Sequence, residues 1–261
     1  MSYILNETEI HHFIKEGFVR VDAAFPTELA TAAVDILWKD IPFERDNPKS
    51  WTEPVVWLGM YSGPPFTDSL NTARLHAAFD QLAGAGRWLP CRSVGSFPVR
   101  FPSHKSSQDT GRHVDAGFPG DDPSNYFEWR INIHSKGRAL LMLVLYSDVS
   151  ENDAPSVLWK GSHKDVARLL YPEGEAGLSF TELAGRLHEL PEREKVFATG
   201  KAGTVYLCHP FLVHAAQAHR GKTPRFMAQP PLLHKDAFTI SDPEAGLSPV
   251  EQAIYQALHA G

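Results

Sequence analysis

Gly203-Thr204-Val205-Tyr206-Leu207-Cys208-His209-Pro210-Phe211-Leu212-Val213-His214 holds a short strand, a polar break and the start of a second strand within one stretch of chain. An apolar run bounded by Gly203 on one side and His209-Pro210 on the other is too short for a helix and reads as a strand. The same texture recurs over Trp129 to His134, Ala139 to Asp148, Ser156 to Trp159, Lys195 to Ala198, Leu212 to Ala215 and Arg225 to Leu233. Many short strands separated by polar turns predict an antiparallel barrel or jelly roll.

Helical signals lie around these strands. Asn6 followed by Glu9 forms a capping-box pattern ahead of Ile10, Phe13 and Ile14, and Gly17 ends that helix before the strand Phe18 to Val21. Thr27 to Lys39 is apolar at helical spacing, Val55 to Leu58 is a short strand, and Leu70 to Leu82 is a further helix stopped by Gly84. Ser162 with Asp165, Ser179 with Glu182, and Ser248-Pro249-Val250-Glu251 each mark a helix start, the last running towards His259. Ile41 to Pro54 reads as an excursion loop that helps to wall a pocket. The expectation is a mainly β protein with peripheral helices. It is one domain over 1–261, with a helical N-terminal part (about 1–90) packed on a jelly-roll core (about 91–235).

Composition bounds the function. The 261 residues are 43% hydrophobic and 21% charged, with a formal charge of −6. No Lys/Arg run is present to displace counterions from a phosphate backbone, so nucleic acid is not an expected partner. The longest apolar run, Ala139 to Tyr146, is far below the roughly 20 residues that span a bilayer. The opening Met1 to Glu7 has no basic and then apolar character, so no signal peptide is expected. Cys91 and Cys208 are far from a C-x-x-C spacing and suit a reducing compartment. These features predict a cytoplasmic protein with no membrane partner, and they leave the oligomeric state open.

His113-Val114-Asp115 carries the chemistry. Residues i and i+2 of a strand share a face, so this His and this carboxylate converge on one ion if the strand persists that far. Ninety-nine residues beyond Asp115 stands His214, and eleven beyond that Arg225. Two imidazoles and one carboxylate leave the opposite metal positions open, the arrangement of non-heme Fe(II) oxygenases. A surface His and Asp in a polar loop is the plainer reading of the motif alone. His209 competes with His214 as third ligand, but the two differ in strand parity. A guanidinium inside a barrel needs an anionic partner and suits a carboxylate bidentately, whereas an outward Arg225 would simply be solvated.

Taken together, Glu16-Gly17-Phe18-Val19-Arg20-Val21 with Phe25 to Leu29, Gly111-Arg112-His113-Val114-Asp115, Leu141 to Asp148 with Gly161-Ser162-His163-Lys164, and His214 with Arg225 resemble the phytanoyl-CoA dioxygenase family of Fe(II)/2-oxoglutarate oxygenases. The resemblance implies a double-stranded β-helix, a cupin-like jelly roll. It implies Fe(II) on His113, Asp115 and His214, 2-oxoglutarate anchored by Arg225, O2 as oxidant, and hydroxylation of a small organic molecule with release of succinate and carbon dioxide. Asn132 stands where relatives place a polar group against the oxoglutarate. Ala216, His219 and Asp153-Ala154-Pro155 depart from the usual pattern of the family. The carboxylate of Asp115 points to oxygenation rather than halogenation, since halogenating relatives have a small residue there.

Arg100, Trp129 and Arg130 are candidates for lining the substrate cavity. Two rivals remain at this stage. A non-catalytic jelly-roll binding protein would keep the barrel without turnover, and a zinc hydrolase would use the same ligands with an activated water and a general base.

Overall fold

The strand Leu140–Leu145 is buried along its whole length in the computed structural model, which describes residues 4–240 and 246–259. Successive strand residues point to opposite faces. Leu141, Leu143 and Leu145 therefore pack with Leu158, Tyr206, Cys208 and Met227 between two sheets. Leu140, Met142 and Val144 face the other way, into an apolar layer shared with Phe13, Ala33, Leu75, Phe79 and Ile254 of the helices. A strand covered on both faces reads as an unbroken apolar run rather than an alternating one.

The larger sheet runs Phe18–Val21, Val205–Cys208, Leu140–Leu145, Pro231–His234, Trp88–Leu89, and Met227–Ala228 also pairs with Leu140–Leu145. The smaller sheet is His214–Ala215, Val157–Trp159, Lys195–Phe197, extended by a bridge from His113 to His214. The pairings are antiparallel. Two such sheets facing each other across an apolar layer form the jelly roll, with helices against the outer face of the larger sheet.

Segments on either side of residue 90 share sheets. Phe18–Val21 adds directly to Val205–Cys208, and Val55–Ser62 pairs with Ser93–Arg100. Helix Pro249–His259 packs on helices Glu7–Glu16, Ala73–Ala83 and Ser162–Leu170. Its Glu251 carboxylate accepts from the backbone and hydroxyl of Ser248 and takes a two-pronged hydrogen bond from Arg87, both prongs 2.8 Å. No helix among the described residues is long and apolar enough to cross a membrane.

Several elements differ from expectation for local reasons. The expected helix over Leu70 to Leu82 is two, Phe66–Leu70 and Ala73–Ala83, because Thr72 is extended and its hydroxyl caps the second through the Leu75 N–H. The strand expected over Arg225 to Leu233 is interrupted at Gln229-Pro230, since Pro has no N–H to give to a ladder. Trp129 to His134 shortens to Arg130–Ile131 and then turns. The pairing of Ser162 with Asp165 as a capping box does not form. Gly161 holds the N-cap position, the Ser162 hydroxyl accepts from Val213 N–H at 3.0 Å, and Asp165 takes both Arg193 donors at 2.8 Å.

Two imidazoles sit under this helical layer. His209 accepts from Phe211 N–H through Nδ1 and faces Val250 O with Nε2, while His163 Nε2 lies 3.1 Å from Ile14 O, and the two rings are 4.8 Å apart. Their role is structural. Burial pushes the His163 pKa down to about 3, and burial with the neighbouring His163 pushes His209 well below its ordinary value. Both are neutral when folded and protonate near pH 6.5 when unfolded, so their stabilising contribution is complete above about pH 6.5 and is lost as pH falls below it. We predict that the unfolding free energy from urea titration is level above about pH 7 and declines below about pH 6.5, by up to about 1.4 kcal/mol per pH unit per imidazole, the midpoint falling with it. His163→Asn should flatten that decline, and a wild-type midpoint indifferent to pH from about 6.5 to 5 would contradict it.

Candidate metal centre

His113 and His214 exchange both backbone hydrogen bonds, each 3.0 Å, and so stand directly opposite one another on the same face of the smaller sheet. His214 is in turn opposite Leu158, whose side chain lies between the sheets, so both imidazoles face the barrel interior. Their ring centroids are 4.3 Å apart. Asp115, two residues on from His113, places Oδ1 3.7 Å from His113 Nε2 and 3.8 Å from His214 Nε2. The three donor atoms lie within 4.8 Å of one another.

Backbone carbonyls set the tautomers. His113 Nδ1 is 2.9 Å from Gly111 O and His214 Nδ1 is 3.0 Å from Leu212 O. A carbonyl only accepts, so each Nδ1 carries the proton and each Nε2 presents its lone pair to the interior. His214 Nε2 is buried and has no hydrogen-bond partner. Buried polar atoms are nearly always paired, so this orphan marks a place for a further group. Burial, then the adjacent His113, pushes the His214 pKa down to about 4, against the pull of Asp115. The ring is therefore neutral near pH 7 and able to ligate. Two imidazole nitrogens and a carboxylate oxygen are a donor set for a first-row divalent metal.

Arg138 completes the centre, and nothing in the motif reading pointed to it. Its side chain is 8% exposed, its Nη1 lies 3.2 Å from Asp115 Oδ2, and its Nη2 donates to Ala116 O at 3.1 Å. Burial alone would raise the Asp115 pKa, but Arg138 first, then the imidazoles, hold it below the ordinary carboxylate value. With Oδ2 held by the guanidinium, Oδ1 is the oxygen left facing both Nε2 atoms. Two glycines bring Arg138 here. A Cβ on Gly117 would meet Lys136 O at 2.3 Å, and one on Gly137, whose φ is +85°, would meet Gly117 O at 2.1 Å. The available signal was a lone arginine directly before the unbroken apolar run from Ala139.

Arg225 shares strand parity with Met227 and likewise points between the sheets, where it is 1% exposed. Nη1 donates to Ala154 O at 2.7 Å, from a residue held at φ +51°, and Nε has no partner. Arg225 and Arg100 exchange backbone hydrogen bonds, so the two guanidiniums enter the cavity side by side. Only Arg100 has a carboxylate, Asp109, with Ser107 Oγ a second acceptor at 3.2 Å. Burial would raise the Asp109 pKa, yet the Arg100 hydrogen bond and charge bring it below the usual range. Burial, then the neighbouring Arg100, pushes the Arg225 pKa down against the pull of Asp109. One uncompensated buried cation calls for one anionic group.

A cavity of about 490 Å³ has His113, Arg100, Asp109 and Arg225 in its wall, so the cluster meets it through His113. Asn132 does not join them. Its amide nitrogen donates to Glu175 O at 3.0 Å and its oxygen accepts from Lys136 N–H at 3.1 Å, so it ties the turn that carries Arg138. Arg130 and Trp129 are likewise spent on Ala176 O, Gly177 O and Pro123 O. The loop Ile41 to Pro54 packs Phe43 and Trp51 on Phe101, and the cavity wall is supplied instead by Trp57 and Pro98, with Phe127 and Phe180.

Solved structures match this fold over most of its length at low identity. A non-heme alpha ketoglutarate dependent carbocyclase, SnoK, from nogalamycin biosynthesis is 15% identical with a TM-score of 0.55, covering 94% of this chain and 91% of its own. The epimerase SnoN in complex with Fe3+, alpha ketoglutarate and nogalamycin RO is 18% identical with a TM-score of 0.55, covering 93% and 92%. EctD from S. alaskensis, in its apoform, is 18% identical with a TM-score of 0.54, covering 89% and 77%. At such identities the likeness is one of fold. No protein-family model and no curated protein sequence matches the chain.

Removing the Arg138 charge should loosen the centre. Arg138→Met is expected to weaken Co(II) or Ni(II) binding by about tenfold or more, the range for groups that orient a ligand. Gly117→Ala, which separates the two loops, should act in the same direction. Calorimetric titration checks both, and wild-type affinity in Arg138→Met would show that Asp115 needs no such support.

Proposed function

We propose that this protein is an Fe(II)- and 2-oxoglutarate-dependent oxygenase that hydroxylates a small organic molecule, with motifs that resemble those of the phytanoyl-CoA dioxygenase family. One observation carries the reading: a cluster of two imidazoles and one carboxylate, whose His113 lines the same cavity as the buried guanidinium of Arg225, a group that makes no salt bridge among the described residues. When bound, Fe(II), 2-oxoglutarate and O2 supply the oxidising power, with succinate and carbon dioxide as co-products.

The chain's part is binding and orientation. His113 and His214 offer Nε2 lone pairs because Gly111 and Leu212 hold their Nδ1 protons. Asp115 offers one oxygen while Arg138 keeps the other and keeps the group ionised. Arg225 supplies the cation for the far carboxylate of 2-oxoglutarate, and the Arg100–Asp109 pair beside it leaves that cation free. Three protein donors on one side leave the remaining metal positions open for co-substrate and oxidant.

SnoN, whose complex holds Fe3+ and alpha ketoglutarate, gives the reading support from a shared fold, while the carbocyclase SnoK shows that the fold hosts outcomes besides hydroxylation. A zinc hydrolase is disfavoured because a general base is wanting: among the described residues of the cavity wall the one carboxylate is Asp109, and Arg100 holds it. The two free thiols, Cys91 and Cys208, suit a cytoplasmic setting.

Anaerobic Fe(II) titration in the presence of 2-oxoglutarate should produce a visible charge-transfer band, and adding air should release succinate. Asp115→Ala should abolish both signals, and retained succinate release would remove Asp115 from the centre. Arg225→Gln should raise the 2-oxoglutarate concentration needed for half-saturation by at least about 30-fold, as expected when one partner of a buried charge pair is lost. An unchanged value would reassign the anchor.

A further inference from the structure

Three aromatic side chains form one continuous wall from solvent to the metal-binding cluster. Phe127, 64% exposed at the cavity mouth, lies 5.9 Å from Phe180, and Phe180 lies 5.7 Å from the ring of His113, with Tyr126 backing it at 5.4 Å. The wall is held firmly. Phe180 N–H donates to Trp129 O at 2.7 Å, Thr181 Oγ1 donates to Phe127 O at 3.1 Å, and Ser179 and Glu182 cap the helix that Phe180 begins. The cavity is also lined by Trp57, 60% exposed, and Pro98, a cross-strand pair. Large aromatics left open to water at the mouth of a cavity mark a binding surface.

Charge narrows the occupant. Three arginines and one aspartate line this cavity beside His113, and the aspartate is bound to Arg100. Arg225 is assigned to the co-substrate above, and the Arg112 guanidinium is stacked 5.7 Å over Trp159, a residue that does not line this cavity. A cationic ligand would find no free carboxylate here. From this combination we infer that the substrate is a planar aromatic molecule that carries no cationic group, its ring system against Phe127 and Phe180. Placing such a ring beside His113 rests on the oxygenase reading, since that reading is what makes the contact a substrate contact.

The test uses 2-naphthoate, 2-naphthol, 2-naphthylmethylammonium and cyclohexanecarboxylate as probes of the full chain, with binding followed by quenching of tryptophan fluorescence and by equilibrium dialysis. Naphthoate and naphthol are both expected to bind, with the ammonium and the saturated acid at least about tenfold weaker, the scale of one aromatic or charge contact in a desolvated site. Phe180→Leu and Phe127→Ala should each weaken naphthoate and naphthol about five- to tenfold. Phe180→Leu retains apolar bulk, so a loss there reports the aromatic face rather than unfolding. The inference is overturned if the ammonium binds as well as the naphthoate, if the saturated acid equals it, if no probe binds, or if the variants bind as the wild type does. Running the set on metal-free and Ni(II)-loaded protein separates the two failures: a wild type that takes up no Ni(II) ends the oxygenase reading, and the probe order alone decides the slot.

Discussion

The site rests on one pair of backbone hydrogen bonds, those that His113 and His214 exchange across the edge of the smaller sheet. Directly opposed residues in an antiparallel pair must present their side chains on one face, so this pairing is what turns two distant imidazoles into one donor pair. It also carries Asp115, which follows two residues later. Were the register to slip by one residue, His214 would turn away from the interior. The continuation of the ladder through Leu158 and Val196 ties that register to the packed layer between the sheets.

Around that pair the structure is governed by how buried charges are compensated. Arg138 answers Asp115, Asp109 answers Arg100, Asp165 answers Arg193, and Glu251 answers Arg87. Arg225 alone among the arginines lining the inter-sheet cavity is fully buried with only a carbonyl, Ala154 O, as its acceptor. In a low-dielectric interior such a charge is costly unless an anion joins it. The asymmetry between Arg100 and Arg225, neighbours in register with unequal partners, is the physical content of the co-substrate assignment.

Much of the fold was legible because the barrel strands are short, apolar and punctuated. Ala139 to Asp148, Ser156 to Trp159 and Thr204 to Cys208 needed only the pattern of burial, and Asn6-Glu9 and Ser179-Glu182 announced their helices through capping chemistry that the structure bears out. Reading was weaker where a tertiary partner captured a polar group. Ser162 serves Val213 instead of its own helix, and Asn132 serves Glu175 and Lys136 instead of the cavity, because a nearby backbone group outside the local pattern was the better partner.

His113, Asp115, His214 and Arg225 stood out as candidates from residue type, spacing and the family resemblance, and the structure brings the first three together. Arg138, the Arg100–Asp109 pair and the wall of Phe127 and Phe180 did not, because each depends on a contact between segments whose distance in the chain carries no signal. Gly117 against Gly137 is the clearest instance: the approach of two backbones sets an arginine beside a carboxylate, and only the folded chain brings those backbones together. Local chemistry thus determined which groups were available, and long-range packing decided which of them meet.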